Sequence, residues 1–200
     1  GFKICIGRRS EFLAICKAML ETKITPDFIT VDGAEGGTGA APLEYANHVG
    51  TPLNDGLIFV HNCLVGCNLR DRIKIIASGK VATGFNMLIK IALGADTCNS
   101  ARAMMLAAGC VQSKQCNANT CPTGVATQDP KLQRGLVVDE KKIRVAQYHD
   151  ATMHAFLELI GSMGITDPRD LNPGHVVRRI GPGNIKNYDE IYEFLKPGDL

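Results

Sequence analysis

The feature that most constrains this chain is a repeat of pattern rather than of residues. Short, nearly continuous apolar runs alternate with segments whose apolar residues recur at helical spacing. FKICI at 2–6, DFITVDG at 27–33, RIKIIASG at 72–79 and ADTCNSA at 95–101 read as strands. Residues 10–21, 53–69 and 83–93 read as helices between them, and 102–108 opens a fourth. In the first helix Phe12, Leu13, Ile15, Cys16, Met19 and Leu20 make the apolar face, with Ser10 placed to cap it. Strands with so little alternation belong in a parallel sheet covered on both faces. Both an open doubly wound sheet and a (βα)8 barrel would satisfy that pattern. The glycine-rich and polar segments at 33–39, 78–80 and 99–101 all fall where a strand ends. In a barrel that is the face which carries the active site, so the barrel is favoured.

A complete barrel takes about 250 residues. This chain of 200 holds four βα units. The expected fold is therefore α/β: the C-terminal half of a (βα)8 TIM barrel, with a cysteine-bearing loop, argued below as an iron–sulfur loop, and a C-terminal helical extension. The missing strands would come from upstream in a longer parent chain or from a second copy. Residues 1–109 form the four units, 110–128 a cysteine loop and 129–200 the extension. Within the extension, 143–163 reads as a long amphipathic helix, 165–181 as a loop with short helical turns and 188–195 as a last short helix.

Charge and hydropathy remove several classes of function. The net charge of +2 is near balance and gives no footing for nucleic acid or an anionic membrane surface. The apolar runs are too short to span a bilayer, and no basic-then-apolar leader opens the chain. A cytoplasmic location is expected.

Eight cysteines are many for this length. Cys5 and Cys16 lie inside apolar runs and read as small core hydrophobes, and Cys63 and Cys67 as buried neighbours on a helix. Cys110, Cys116 and Cys121 differ. They stand at C-x5-C-x4-C in loop-like surroundings, and Pro122 follows the last. A structural zinc site usually takes four ligands, and no histidine is near; His149 and His154 lie in a helix downstream. An iron–sulfur cluster takes thiolates from loops of this kind. Three unligated thiols are the plainer alternative, but they would leave reactive groups in a solvent-facing loop.

Three further places can carry chemistry. Gly33, Gly36, Gly37 and Gly39, beside Asp32 and Glu35, suit an anion or a flat cofactor needing close backbone approach. Ser78, Gly79, Ser100 and the N–H of Ala101 end successive strands and could hold a phosphate, with charge from Lys80 or Arg102. Plain helix capping by Ser100 is the alternative there. Lys3, inside the first strand, could meet a reduced flavin or a substrate carboxylate, or could be a surface lysine. His48, His61 and His175 read as capping or surface residues.

VDGAEGGTGAAP, ASGKVATGF and LGADTCNSARAMMLAAGCVQSKQCNANTCPTGVATQDP together resemble the FMN-binding synthase domain of the glutamate synthase family. They are most similar to its stand-alone members without an amidotransferase domain. The resemblance runs from GFKICIG to HVVRRIG and is most specific over 110–128. It implies a barrel binding FMN and a three-iron, four-sulfur (3Fe-4S) cluster. Reduced FMN would deliver hydride to 2-iminoglutarate, formed from 2-oxoglutarate and ammonia, to give glutamate. Electrons would arrive through the cluster from a ferredoxin or an NAD(P)H-oxidising flavoprotein. By position, Cys110, Cys116 and Cys121 would ligate the cluster. Gly33, Gly36, Gly37, Thr38 and Gly39 would lie by the flavin and substrate. Ser78, Gly79, Lys80, Ser100 and Ala101 would hold the FMN phosphate, and Lys3 and Glu35 would be catalytic. Two departures bear on the substrate: Ala34 stands where the long synthases carry a polar residue, and Ser78-Gly79-Lys80 stands in place of DGG. The piece alone is expected to be inactive. A second reading is a non-catalytic, metal-stabilised half-barrel serving interaction or electron relay, which predicts metal without flavin.

Overall fold

A computed structural model describes residues 1–35, 41–42 and 44–200. Its centre is a four-stranded parallel sheet built from β1 (Phe2–Cys5), β2 (Phe28–Asp32), β3 (Lys74–Ser78) and β4 (Thr97–Asn99). The strands lie side by side in chain order. Between them run α1 (Arg9–Thr22), α2 (Leu53–Gly66) and α3 (Gly84–Ala92), and α4 (Arg102–Ala107) follows the last strand. Chain order without a switch point marks a singly wound sheet. The doubly wound alternative would place a reversal of strand order inside it.

Strand residues alternate between two faces, and the register fixes which is which. Ile29, Val31, Ile75 and Ala77 are fully buried with Phe12 and Cys16 of α1, Leu57 and Val60 of α2, and Leu88 and Ala92 of α3. That is the helix side. The opposite face carries Lys3, Cys5, Phe28, Thr30, Asp32, Ile76, Ser78, Thr97 and Asn99. It is mixed in polarity, and Phe28, Lys3, Thr97 and Asn99 are exposed. The sheet is therefore apolar on its helix side only, not on both faces as the runs suggest.

Local chemistry moves several boundaries. Ser10 does not cap α1; it is the second helical residue, and Arg8 occupies the cap position without a side-chain bond. Thr83 does cap α3, accepting from the N–H of Asn86 at 3.1 Å. Past the cysteine segment come the one-turn α5 (Pro130–Gln133) and the long α6 (Val138–Ser162). The last starts five residues before its apolar stripe, with Asp139 and Glu140 in the first turn, where the helix dipole favours acidic groups. It packs across α3 and α4.

The extension is not wholly helical. β5 (Val177–Gly181) and β6 (Asn184–Asn187) form an antiparallel hairpin, turned through Gly183 at φ +70°. A short α7 (Tyr188–Ile191) follows, entered through a capping box between Asn187 and Glu190. The final segment returns to α2: Asn62 holds it through Glu193 and Leu195, and the N–H of Leu200 donates to the carbonyl of Gly66. Among the described residues no helix is long and apolar enough to cross a membrane.

Candidate functional site

The C-terminal ends of the strands carry two aligned rows on the open face. Cys5, Asp32, Ser78 and Asn99 are direct cross-strand partners, one from each strand. One step earlier Lys3, Thr30, Ile76 and Thr97 form a second row. Sequence reasoning singles out Lys3 and Ser78 but not the register that sets Ser78 in one row with Cys5, Asp32 and Asn99 and Lys3 in the next. The usable signal is that Asp32, Ser78 and Asn99 are each the last residue of a strand.

Lys3 reaches diagonally across the rows, its ammonium 2.7 Å from Asp32 Oδ2. The lysine side chain is 54% exposed and the aspartate 30%. Beside them Cys5 has its thiol pKa raised by burial and by the negative charges of Asp32 and Glu35, against a hydrogen bond from the Thr51 backbone.

Glu35 is engaged elsewhere. Both its carboxylate oxygens accept the N–H of Leu53, at 3.0 and 2.9 Å, so it closes the start of α2. Gly33 is required at the same point. A Cβ there would lie 2.0 Å from Glu35 Oε2 and 2.6 Å from Leu53 Cβ, and its N–H donates to the Ser78 carbonyl at 3.0 Å. Gly79, at φ +149°, completes the contact between the ends of β2 and β3. Gly36, Gly37, Thr38 and Gly39 lie outside the described residues.

The two strand ends expected to share a phosphate do meet. Ser78 and Asn99 are cross-strand partners, and the Ser100 hydroxyl donates to the Val81 carbonyl at 2.7 Å. Ser100 is thus spent as a donor and ties the two loops together. Lys80 sits at φ +47°, a left-handed conformation uncommon for a residue with a side chain. Ala101 precedes α4 directly and makes no side-chain cap. Tyr148 of α6 donates its hydroxyl to the Ala82 carbonyl and braces the same turn from outside. Turning backbone with Lys80 and Arg102 beside it is a donor set that fits a phosphate.

The cysteine segment is built from tight left-handed turns. Gly109, Gln112, Lys114, Asn119 and Gly124 all have positive φ. Asn119 anchors it, its side-chain oxygen accepting the N–H of Gln128 at 2.7 Å while Thr127 donates to its backbone carbonyl at 2.6 Å. Cys121 is buried, and its thiol is pulled down to about 7, first by the Thr123 hydroxyl and then by the backbone N–H groups of Ala126, Thr123 and Val125. The N–H of Gln112 points at Cys110 Sγ, 3.4 Å away. Donors aimed at sulfur suit thiolate ligands. The three thiols are not gathered, however: among the described residues no three His, Cys, Asp or Glu side chains come close enough to hold a metal ion. Of the other cysteines, Cys16 and Cys63 are buried as expected, whereas Cys5 is only half-buried, on the open face. His175 is a capping residue, accepting the N–H of Asn172. His61 is not: it is half-buried against Arg70 and the ring of Phe194.

Residues 2–166 match the family model described as a conserved region in glutamate synthase. The glutamate synthase large subunit-like protein YerD of Bacillus subtilis (strain 168) is 42% identical over 196 residues, covering 98% of this chain and 37% of that protein. The archaeal glutamate synthase (NADPH) of Methanocaldococcus jannaschii is 38% identical over 145 residues, covering 72% of this chain and 28% of that one. The chain thus spans little more than a third of these relatives at most. Among solved structures, the recombinant flavin-binding domain of baker's yeast flavocytochrome b2 overlaps 91% of this chain and 43% of its own at a TM-score of 0.38 and 20% identity, too loosely to bear on the argument. The family match over most of the chain does bear on it: this chain belongs to the glutamate synthase family.

Proposed function

We propose that this chain is the FMN- and iron–sulfur-bearing part of a glutamate synthase-type oxidoreductase that reduces 2-iminoglutarate, formed from 2-oxoglutarate and ammonia, to glutamate. The observation that carries the reading is the joining of the two phosphate-type loops by the Ser100–Val81 bond at the ends of adjacent parallel strands. Singly wound strand order supports the half-barrel, with its open face as the interior.

In this reading the backbone of Ser78, Gly79, Lys80 and Ala101 holds the flavin phosphate, and the Lys80 ammonium offsets its charge. Ser100 keeps the two loops in one position. Gly33, with the glycines and Thr38 that follow, lets the chain approach the ring closely. When bound, FMN supplies the hydride. Lys3 orients the substrate over the strand ends. Glu35, the other residue assigned to catalysis, also accepts the N–H of Leu53 and so fixes the start of α2 beside Gly33. Cys110, Cys116 and Cys121 are the ligands offered to a 3Fe-4S cluster, with the Cys121 thiol drawn down toward its thiolate form by the Thr123 hydroxyl. The electron donor is a ferredoxin or an NAD(P)H-oxidising flavoprotein.

The test is an absorption spectrum and an iron count on protein purified without oxygen. Flavin bands over a broad iron–sulfur shoulder support the reading, and Cys116→Ser then loses the iron while keeping the flavin. A colourless protein, or one that holds zinc, rules it out. Metal without flavin would favour the non-catalytic module.

A further inference from the structure

We propose that Cys16, Cys63 and Cys67 form a redox-active site between α1 and α2, in which a hydroperoxide oxidises Cys67 and Cys16 captures the oxidised sulfur in a disulfide joining the two helices. None of these residues lies at the strand ends or in the segment 110–128, so the site stands or falls apart from the function proposed above.

Spacing places the three sulfurs. Cys63 and Cys67 are four residues apart at the end of α2, where the Cys67 N–H donates to the Cys63 carbonyl at 3.0 Å, so both thiols leave the same side of the helix. Cys16 lies in the middle of α1, on its buried stripe with Phe12 and Met19. The two helices pack together, with Phe12 of one edge-on to Phe59 of the other and ring centres 6.0 Å apart. The Cys16 thiol makes hydrogen-bonding contact with the thiols of both Cys63 and Cys67. Packing asks for small apolar volume at such positions; a thiol touching two others adds reactivity that packing does not need.

Burial divides the roles. Cys16 and Cys63 are 1% and 2% exposed, whereas Cys67, at the helix end, is only partly covered. Cys67 is therefore the sulfur that a small oxidant reaches. Cys16 keeps its proton: its pKa is raised, first by its hydrogen bond with Cys63 and then by burial. Cys63 is drawn the other way, first by the Cys16 thiol that donates to it and, against burial, also by the Arg9 guanidinium.

The chemistry balances with the peroxide as the only oxidant. The Cys67 thiolate attacks one peroxide oxygen, the O–O bond breaks, and the other oxygen leaves and takes up the proton that the thiol lost. Cys67 becomes a sulfenic acid, oxidised by two electrons, and the peroxide is reduced to an alcohol or to water. The Cys16 sulfur then attacks the Cys67 sulfur. The S–S bond forms, the S–O bond breaks, and hydroxide leaves with the Cys16 proton as water. Cys63 exchanges into the bond by attacking the Cys16 sulfur, which returns Cys67 as a thiol. A bond between Cys63 and Cys67 is ruled out by reach. β-Carbons four residues apart on a helix stand about 5–6 Å from each other, and a disulfide holds them at about 3.5–4.5 Å.

The test treats the full chain, folded and as purified, with hydrogen peroxide. Remaining thiols are then blocked with iodoacetamide in denaturant, and peptides are mapped without reduction. A cross-link between the Cys16 peptide and one carrying Cys63 or Cys67 is expected, and dithiothreitol should reverse it. Raising the pH by one unit should speed its formation about tenfold, because the thiolate is the nucleophile and burial raises the Cys67 pKa. Cys16→Ala should lose the cross-link and leave Cys67 to oxidise further. Cys63→Ser should keep it as a Cys16–Cys67 bond. Cys67→Ser leaves both core sulfurs in place, and it should lose the cross-link at peroxide levels that complete it in the wild type. A folded chain that forms no such cross-link, a Cys63–Cys67 bond, or a cross-link that forms as fast in Cys67→Ser would overturn the proposal.

Discussion

Glu35 makes a structural contact at a position that the sequence marks for chemistry. A carboxylate inside a glycine loop at a strand end invites a chemical role, and both its oxygens also accept one backbone N–H at the start of α2. Glu35→Ala should therefore lower stability by about 1–2 kcal/mol, the usual cost of a lost cap or of an unmet donor. Chemical denaturation measures it, and Glu35→Gln should recover part of the loss. Cys121 is the opposite case, a residue legible from spacing whose chemistry only the fold reveals. Its thiol is held near 7, below the ordinary value of 9.0, by donors the chain folds around it. The ultraviolet thiolate absorbance of the folded chain, taken as the difference from a Cys121→Ser variant, should show a midpoint near 7. Thr123→Val should move that midpoint upward. Because the folded pKa is the lower one, the stability contributed by this thiolate is full above about 9 and is lost as pH falls through 7.

Elements were legible in the sequence in proportion to how far apolar burial alone decides them. The strands at 2–5, 28–32 and 74–78 and their following helices fall within a few residues of the expected runs, because each has one buried face that water would penalise. The hairpin at 177–187 has almost no buried face: Val177, Ile180 and Ile185 are exposed, and its first strand falls in the stretch 165–181 that reads as a loop. Register was equally hidden, since no pattern within one strand says which residue of the next will stand opposite. That is why Asp32 and Asn99 were missed as members of a row that includes Ser78. α2 carries a further prediction. His61, on this helix, has its pKa lowered from 6.5 to about 4 by burial and by the nearby Arg70 guanidinium. The unfolded chain takes up that proton first, so stability is full above 6.5 and falls as pH drops toward 4, by about 3 kcal/mol across the window. His61→Gln should flatten this acid slope in denaturation curves taken at successive pH values.

At the scale of the whole molecule, the final segment returns to α2 through apolar contacts of Phe194 and through a few hydrogen bonds. Asn62 donates to the Glu193 carbonyl at 2.8 Å and accepts the N–H of Leu195 at 3.1 Å, across more than 130 residues of sequence. Asn62→Ala should raise the opening equilibrium of this segment about tenfold, read as faster hydrogen exchange at Leu195, while the β3 amides keep their protection. Equal acceleration in β3 would mean the segment and the sheet open as one unit.

Strand order also has a consequence for how the chain is made. Every strand of the main sheet after the first pairs with the one immediately before it: β2 with β1, β3 with β2, β4 with β3. On a ribosome the partner of each emerging strand already exists, so the sheet can grow by one βα unit at a time in the direction of synthesis. No inner position waits for a later strand to be inserted. Of the two edges at each stage, β1 and the newest strand, the second is where the next strand of the same nascent chain adds.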